Sequence, residues 1–298
     1  MNSVWVRYFH GQTGDKLGQV KQHGSITDTN FIDMINFIIE SSAPIIIYSS
    51  QTGVQPLASP QPLAIGDYDI YPTANAKIEV TNSVCLRRAP SYIPTNATPR
   101  EKAFRDGVRL RDGKCVISGT INRTLQDAPQ YQTWRGFQSA YVFPLARESI
   151  WRSKNFSRFI TNTAAETHRA AINSVQNGMC MRNDIDDQFD DFLIAINPDD
   201  GYKIYDFGGN NQGVDRRILD PVCRTPGDPN RVSDDFLRWH WQQTLLFHMK
   251  GVAESGWESD FPPGSDMVGE ILAGPQPAER MEAELFARLH HLVSDDSD

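Results

Sequence analysis

Residues 172–207 read INSVQNGMCMRNDIDDQFDDFLIAINPDDGYKIYDF, and this stretch decides the fold. GMCMR (178–182) is a short, largely apolar run opened by the turn-former Asn177, and it predicts a buried strand. From about Asp184 to Phe192, Ile185 and Phe189 recur four residues apart among acids. That spacing predicts a short helix with one apolar face and an anionic wet face. LIAIN and YKIYDF flank the turn Pro198-Asp-Asp-Gly201. Proline presets φ there and glycine tolerates positive φ, so the pair predicts a β-hairpin. Upstream, FQSAYVFPL (137–145) predicts a strand that Pro144 brings to its exit. The order strand, long connection, strand, helix is a split ββα unit.

Working outward, residues 1–92 predict a small domain of their own. VWVRYF (4–9) and LGQVKQ (17–22) form a hairpin around HGQTGDKLG. A helix, NFIDMINFIIES, follows the capping residues Thr27-Asp-Thr-Asn30, with Phe31, Met34, Ile35 and Ile38 on one face. Two strands follow, PIIIYSS (44–50) and GDYDIYP (66–72). RRAPSYIPTNATPRE (87–101) reads as a linker because of its prolines. The second domain, 93–298, adds a helix over 102–113 closed by Gly113 and a strand KCVISG (114–119) to the ββα core. SIWRSKNFSRFITN is helical, a further helix runs from Ser233 to about Lys250, and a last one covers about 276–293. The expected class is α+β: a small sheet-plus-helix domain, then a ββα core with added helices.

Composition narrows the function. With 298 residues, 39% hydrophobic and 22% charged, the chain is neither a disordered segment nor a coiled coil. No apolar run approaches the roughly 20 residues of a membrane span, so no membrane partner is expected. MNSVWVRYFHG lacks the pattern of a secretory signal, which places the protein inside the cell, in the cytoplasm, or in the nucleus if it is a nuclease. Cys85, Cys115, Cys180 and Cys223 contain no CxxC pair and read as reduced thiols rather than a zinc site. The net charge of -8 opposes a surface that grips nucleic acid everywhere, yet residues 100–160 carry twelve Lys or Arg against five Asp or Glu.

The split ββα layout with Asn177 opening its second strand resembles the HNH nucleases of the ββα-metal superfamily. The resemblance extends through RDGKCVISG, WRGFQSAYVFPLARESIWRSKNFSRFI and LDPVCRTPGDPNRVSDDFLRWHWQQ to FPPGSDMVGEILAGP, and is to a fungal family that carries an HNH endonuclease domain. It implies one divalent metal held by hairpin and helix, a first-strand histidine as general base, an asparagine that holds the loop, and a helical histidine as metal ligand. Set on this sequence, the first-strand histidine falls at Tyr141, preceded by Ala140, and the helical one at Asp186; Asn177 stands in its place.

Tyrosine with an ordinary pKa near 10 is a weak base at neutral pH and a better proton donor. Asp186, with Asp190, offers oxygen ligands suited to Mg or Mn, so the cofactor is either none or such a metal. Asp186-Asp187-Gln188-Phe189-Asp190 also matches the DDxxD of terpene cyclases, but those are all-helical, and the match reads as chance. Three functions follow. The favoured one is a repurposed HNH scaffold in which Tyr141 and Asp186 serve as an acid/base pair on a small molecule. The reaction is an isomerisation, cyclisation or dehydration, by analogy with scaffolds recruited into fungal secondary metabolism. Asn177 completes that catalytic set with His240, whose neighbours Trp239 and Trp241 would shift its pKa. Trp134, Phe143, Arg147, Arg152 and Phe189 line the substrate. The second function is a divergent metal-dependent DNA endonuclease, with nucleic acid ranked below a small molecule as partner. The third is a binding protein without catalysis. A homodimer is left open.

Overall fold

The computed structural model describes residues 5–56, 59–86, 99–123, 133–162, 171–209, 212–250 and 266–273, with positions 277 and 281. In chain order the elements are β1 (Trp5–His10), β2 (Lys16–Lys21), α1 (Asp28–Ile38), β3 (Ile39–Ser41), β4 (Ile45–Ser49), β5 (Gly66–Pro72) and β6 (Ile78–Val80). There follow α2 (Pro99–Asp112), β7 (Phe137–Tyr141), α3 (Glu148–Ser153), β8 (Gly178–Arg182), α4 (Asn183–Asp190), β9 (Ile194–Asn197), β10 (Lys203–Asp206), α5 (Asp234–Met249) and α6 (Met267–Ala273). The class is α+β, as the patterning predicts. The described residues cluster into two compact units. One is drawn from Met1–Leu86, Phe192–Arg216 and Trp241–Ser255, the other from Arg87–Asp191, Arg217–His240 and Gly256–Asp298.

In the first unit the strand order is β2-β1-β5-β4, with β1 and β5 parallel and the other neighbours antiparallel. Strand alternation turns Val6, Tyr8, Val20, Ile47, Tyr68 and Ile70 into the core. Thr27 starts α1 through a capping box: its hydroxyl accepts from Asn30 N while the Asn30 side chain accepts from Thr27 N. Phe31, Met34, Ile35 and Ile38 on α1 are all buried, the face that their three- and four-residue spacing marks out. The β9–β10 hairpin turns at Gly201, φ 60, and its Ala195 and Tyr205 join the same core with Phe207 and with Trp241, Leu245, Leu246 and Met249 of α5. The Tyr8 hydroxyl donates to Met249 O across a sequence separation of 241 residues, and burial pushes its pKa far above the usual tyrosine value. The short β3–β6 pair has too few residues to leave a period in the sequence.

In the second unit β7 and β8 pair antiparallel from Phe137 opposite Arg182 to Tyr141 opposite Gly178, and α4 follows directly. One face of this hairpin lies against α2. Tyr141 stacks on Phe104 with ring centroids 3.9 Å apart, and Ser139 Oγ donates to Arg105 O. A Cβ on Gly178 would stand 2.5 Å from Phe104 Cε2 and 2.7 Å from Val108 Cγ2, so only glycine admits the helix this close. The last residues of α2 lock the pair together. Asp112 Oδ2 accepts from Cys180 N at 2.8 Å, and Arg111 binds Asp112 while donating to Val175 O and Gly178 O.

Two local expectations change. KCVISG (114–119) is no strand: Cys115 N donates to Thr120 O and Gly119 takes φ 76, so the segment turns back on itself. Val116 N still reaches Cys180 O, which ties that turn to β8. The helix expected over SIWRSKNFSRFITN breaks at Asn155, left-handed at φ 51, into α3 and a 3-10 turn over Phe156–Phe159. Most of the predicted helix over 276–293 and most of the predicted linker lie outside the described residues. Among the described residues no helix is long and apolar enough to cross a membrane.

Candidate functional site

Asn177 is the anchor of the ββα unit. It is fully buried, its Oδ1 accepts from Phe143 N at 2.7 Å, and its Nδ2 donates to Phe143 O at 3.0 Å and Ile172 O at 2.9 Å. One amide therefore satisfies three backbone groups where the chain leaves β7 and enters β8, and it fixes the loop rather than facing solvent.

Tyr141 ends β7 with 1% of its surface exposed. Its ring lies parallel to Phe104, packed with Val108 and Cys180, and its hydroxyl donates to Asn173 Oδ1 at 2.6 Å. The phenol is thus a core side chain on the α2 face of the hairpin. Strand alternation places Ala140, Met179 and Met181 on the opposite face, and all three are fully buried.

On α4, Asp186 is 6% exposed whereas Asp187 is exposed, so the adjacent acids of the DDxxD match point into different surroundings. Asp190 is half-buried one turn further on, and Asp184 is paired with Arg182. Among the described residues no group of three or more His, Cys, Asp or Glu side chains is placed to hold a metal ion. The expected ligands Asp186 and Asp190 gather no third such side chain among the described residues, so the residues present do not fit a three-ligand metal centre and no chemical step is routed through one.

The aromatic and histidine positions fall into separate packed clusters. His240 is fully buried, stacked on Phe189 at 3.6 Å with planes 3° apart, and its Nε2 lies 2.9 Å from Phe189 O. A carbonyl only accepts, so that nitrogen carries the proton. Phe143 packs among Trp151, Phe156 and Trp239 at centroid distances of 5.4, 4.7 and 4.6 Å. Arg147, expected to line the substrate, is fully buried in the 3-10 turn Leu145–Arg147. Arg152 is exposed on α3 and paired with Glu148 at 2.5 Å. Trp134 stands apart from these, under Arg109 of α2 and edge-on to Phe137.

Sequence reading missed Asn173, the acceptor for Tyr141, and the Arg111–Asp112 pair. Neighbouring residues of opposite charge on an amphipathic helix read as a wet face, yet their side chains are 5% and 0% exposed. Burial alone would lower the Arg111 pKa, but the hydrogen bond and charge of Asp112 outweigh it and raise it, so the cation persists inside.

No curated protein and no solved structure matches the chain. Residues 115–197, from the turn after α2 through β7, β8, α4 and β9, match a family model described as HNH endonuclease.

Proposed function

We propose that the protein binds nucleic acid through an HNH-type ββα unit, and that the residues now in that unit do not support hydrolysis. The match of residues 115–197 to the HNH endonuclease model carries the reading, because that family's chemistry is directed at phosphodiesters. It raises nucleic acid above a small molecule as partner. The surplus of basic residues over 100–160 agrees, since affinity for nucleic acid comes mainly from cations meeting phosphates. The absence of hydrolysis rests on the donor set and on Tyr141. General-base catalysis contributes about 10²–10⁴ in rate, and a phenol stacked on Phe104 and bonded to Asn173 has no route to an attacking water. The same burial weighs against Tyr141 and Asp186 as an acid/base pair on a small molecule.

A second reading is favoured by one observation: Asp186, which the resemblance sets at the helical ligand position, is a buried carboxylate. A working endonuclease with oxygen ligands would use it. Plasmid nicking in Mg, Mn and Zn, run beside binding of a labelled duplex, separates the two. The expected result is retention of the duplex without nicking above background. Metal-dependent nicking that Asp186→Ala abolishes would establish the endonuclease instead, and failure to bind any nucleic acid would remove both.

A further inference from the structure

Arg109 is a cation whose needs the fold leaves unmet. Its guanidinium lies over the indole of Trp134, 5.0 Å from the ring centroid, and Phe137 holds that indole edge-on at 6.2 Å. Its Nε is buried without an acceptor, and no carboxylate pairs with it among the described residues. Arg105 stands one turn earlier on α2, bonded at 3.1 Å to Asp106, a carboxylate 65% exposed and therefore largely screened by water. Burial first, and then the charge of Arg105, lowers the Arg109 pKa below the ordinary arginine value, against a smaller opposing pull from Cys180 and Asp106. Two like charges held together, one of them partly stripped of water, form a position that an anion relieves.

The chemistry of that anion follows from the donors. A guanidinium held over an indole keeps its outer N–H groups as a planar fork, the geometry that engages two oxygens of one phosphate. A second fork beside it suits a group with several equivalent oxygens. Phe137 faces Arg182 across the hairpin, so the cluster sits at the end of the β-ribbon opposite to Asn177 and Tyr141. Four residue steps of strand put the two ends about 13 Å apart.

We propose that Arg105 and Arg109, with Trp134 as the platform behind Arg109, form a subsite for a backbone phosphate of nucleic acid at the outer end of the hairpin. The assignment rests on the nucleic-acid reading above and adds to it the place where the strand is gripped.

Fluorescence anisotropy of a labelled duplex, measured over a range of salt, tests it on the full chain. Arg105→Gln with Arg109→Gln should weaken binding about tenfold and flatten the slope of log K against log salt by about 0.9 for one duplex phosphate released. Arg109→Lys should keep the slope and lose affinity, because the charge stays while the planar fork is gone. Far-ultraviolet circular dichroism checks that all variants are folded. In parallel, tryptophan fluorescence is titrated with inorganic phosphate, with Trp134→Phe marking the responsive indole. Duplex binding with unchanged affinity and slope in the double variant overturns the subsite while the nucleic-acid reading stands. A phosphate response that depends on Arg109, joined to duplex binding that does not, overturns its assignment to nucleic acid. A native chain that holds no duplex overturns both.

Discussion

Replacing Asn177 separates an anchor from a base-contacting or catalytic residue. Asn177→Ala leaves Phe143 N–H, Phe143 C=O and Ile172 C=O without the partners they now have at 2.7, 3.0 and 2.9 Å, inside a fully buried site. Each orphaned buried polar group costs about 1–3 kcal/mol. The low end of that range for all three gives a loss of about 3 kcal/mol, a large part of the roughly 5–15 kcal/mol by which such domains are stable. Urea unfolding followed by tryptophan fluorescence measures it by linear extrapolation. Asn177→Asp adds a pH signature. An ionised carboxylate would set an oxygen against two carbonyl oxygens, whereas the protonated acid donates to one of them. The variant carboxyl is therefore raised in the folded state above its unfolded value near 3.9. Its deficit relative to the native chain should be smallest below about pH 4 and grow as pH rises toward the folded pKa. A loss under about 1 kcal/mol for Asn177→Ala, or a deficit for Asn177→Asp that ignores pH, would refute the anchoring role.

Two further outcomes follow from buried charge. Asp112→Ala strands the Arg111 guanidinium, 5% exposed, and frees Cys180 N; breaking such a pair from one side should cost about 3–5 kcal/mol in the same urea experiment. His248 packs on Phe207 at 4.6 Å, and burial above all holds its pKa down to about 4 from 6.5. A depressed histidine disfavours the folded state in acid, so stability present above pH 6.5 should fall by about 3 kcal/mol as pH drops to 4. His248→Gln should flatten that part of a pH series of urea midpoints.

The parts of the fold that read directly from the sequence are those with a local period. α1, α4, β7, β8 and the β9–β10 hairpin announce themselves by three- and four-residue spacing, by alternation, or by a Pro and Gly turn. KCVISG misleads because an apolar run of strand length carries no sign of the hydroxyls and the Gly119 conformation that fold it back. The candidate site was legible only as positions. Tyr141, Phe143, Phe189, Arg147 and His240 have side chains suited to a pocket, and whether such groups face a cavity or one another depends on contacts far apart in the chain. His240 meets Phe189 across 51 residues and Phe143 meets Trp239 across 96, distances at which no sequence pattern operates. Arg109 was hidden for the same reason: a cation on a helix looks solvated until Trp134 closes over it.

The core of the first unit imposes a schedule on synthesis. Val6, Tyr8 and Phe31 leave the ribosome long before Tyr205, Trp241 and Met249, which complete their burial. At about 5–20 residues per second, the 241 residues between Tyr8 and its acceptor correspond to a wait on the order of ten to fifty seconds. Throughout that interval Phe31, Met34 and Ile35 of α1 can already pack on the sheet, but the apolar face of the core that Tyr205, Trp241 and Met249 complete has no partner. The nascent protein is thus a substrate for chaperones that shield such faces, and a break in translation between residues 86 and 192 would release a fragment prone to aggregate.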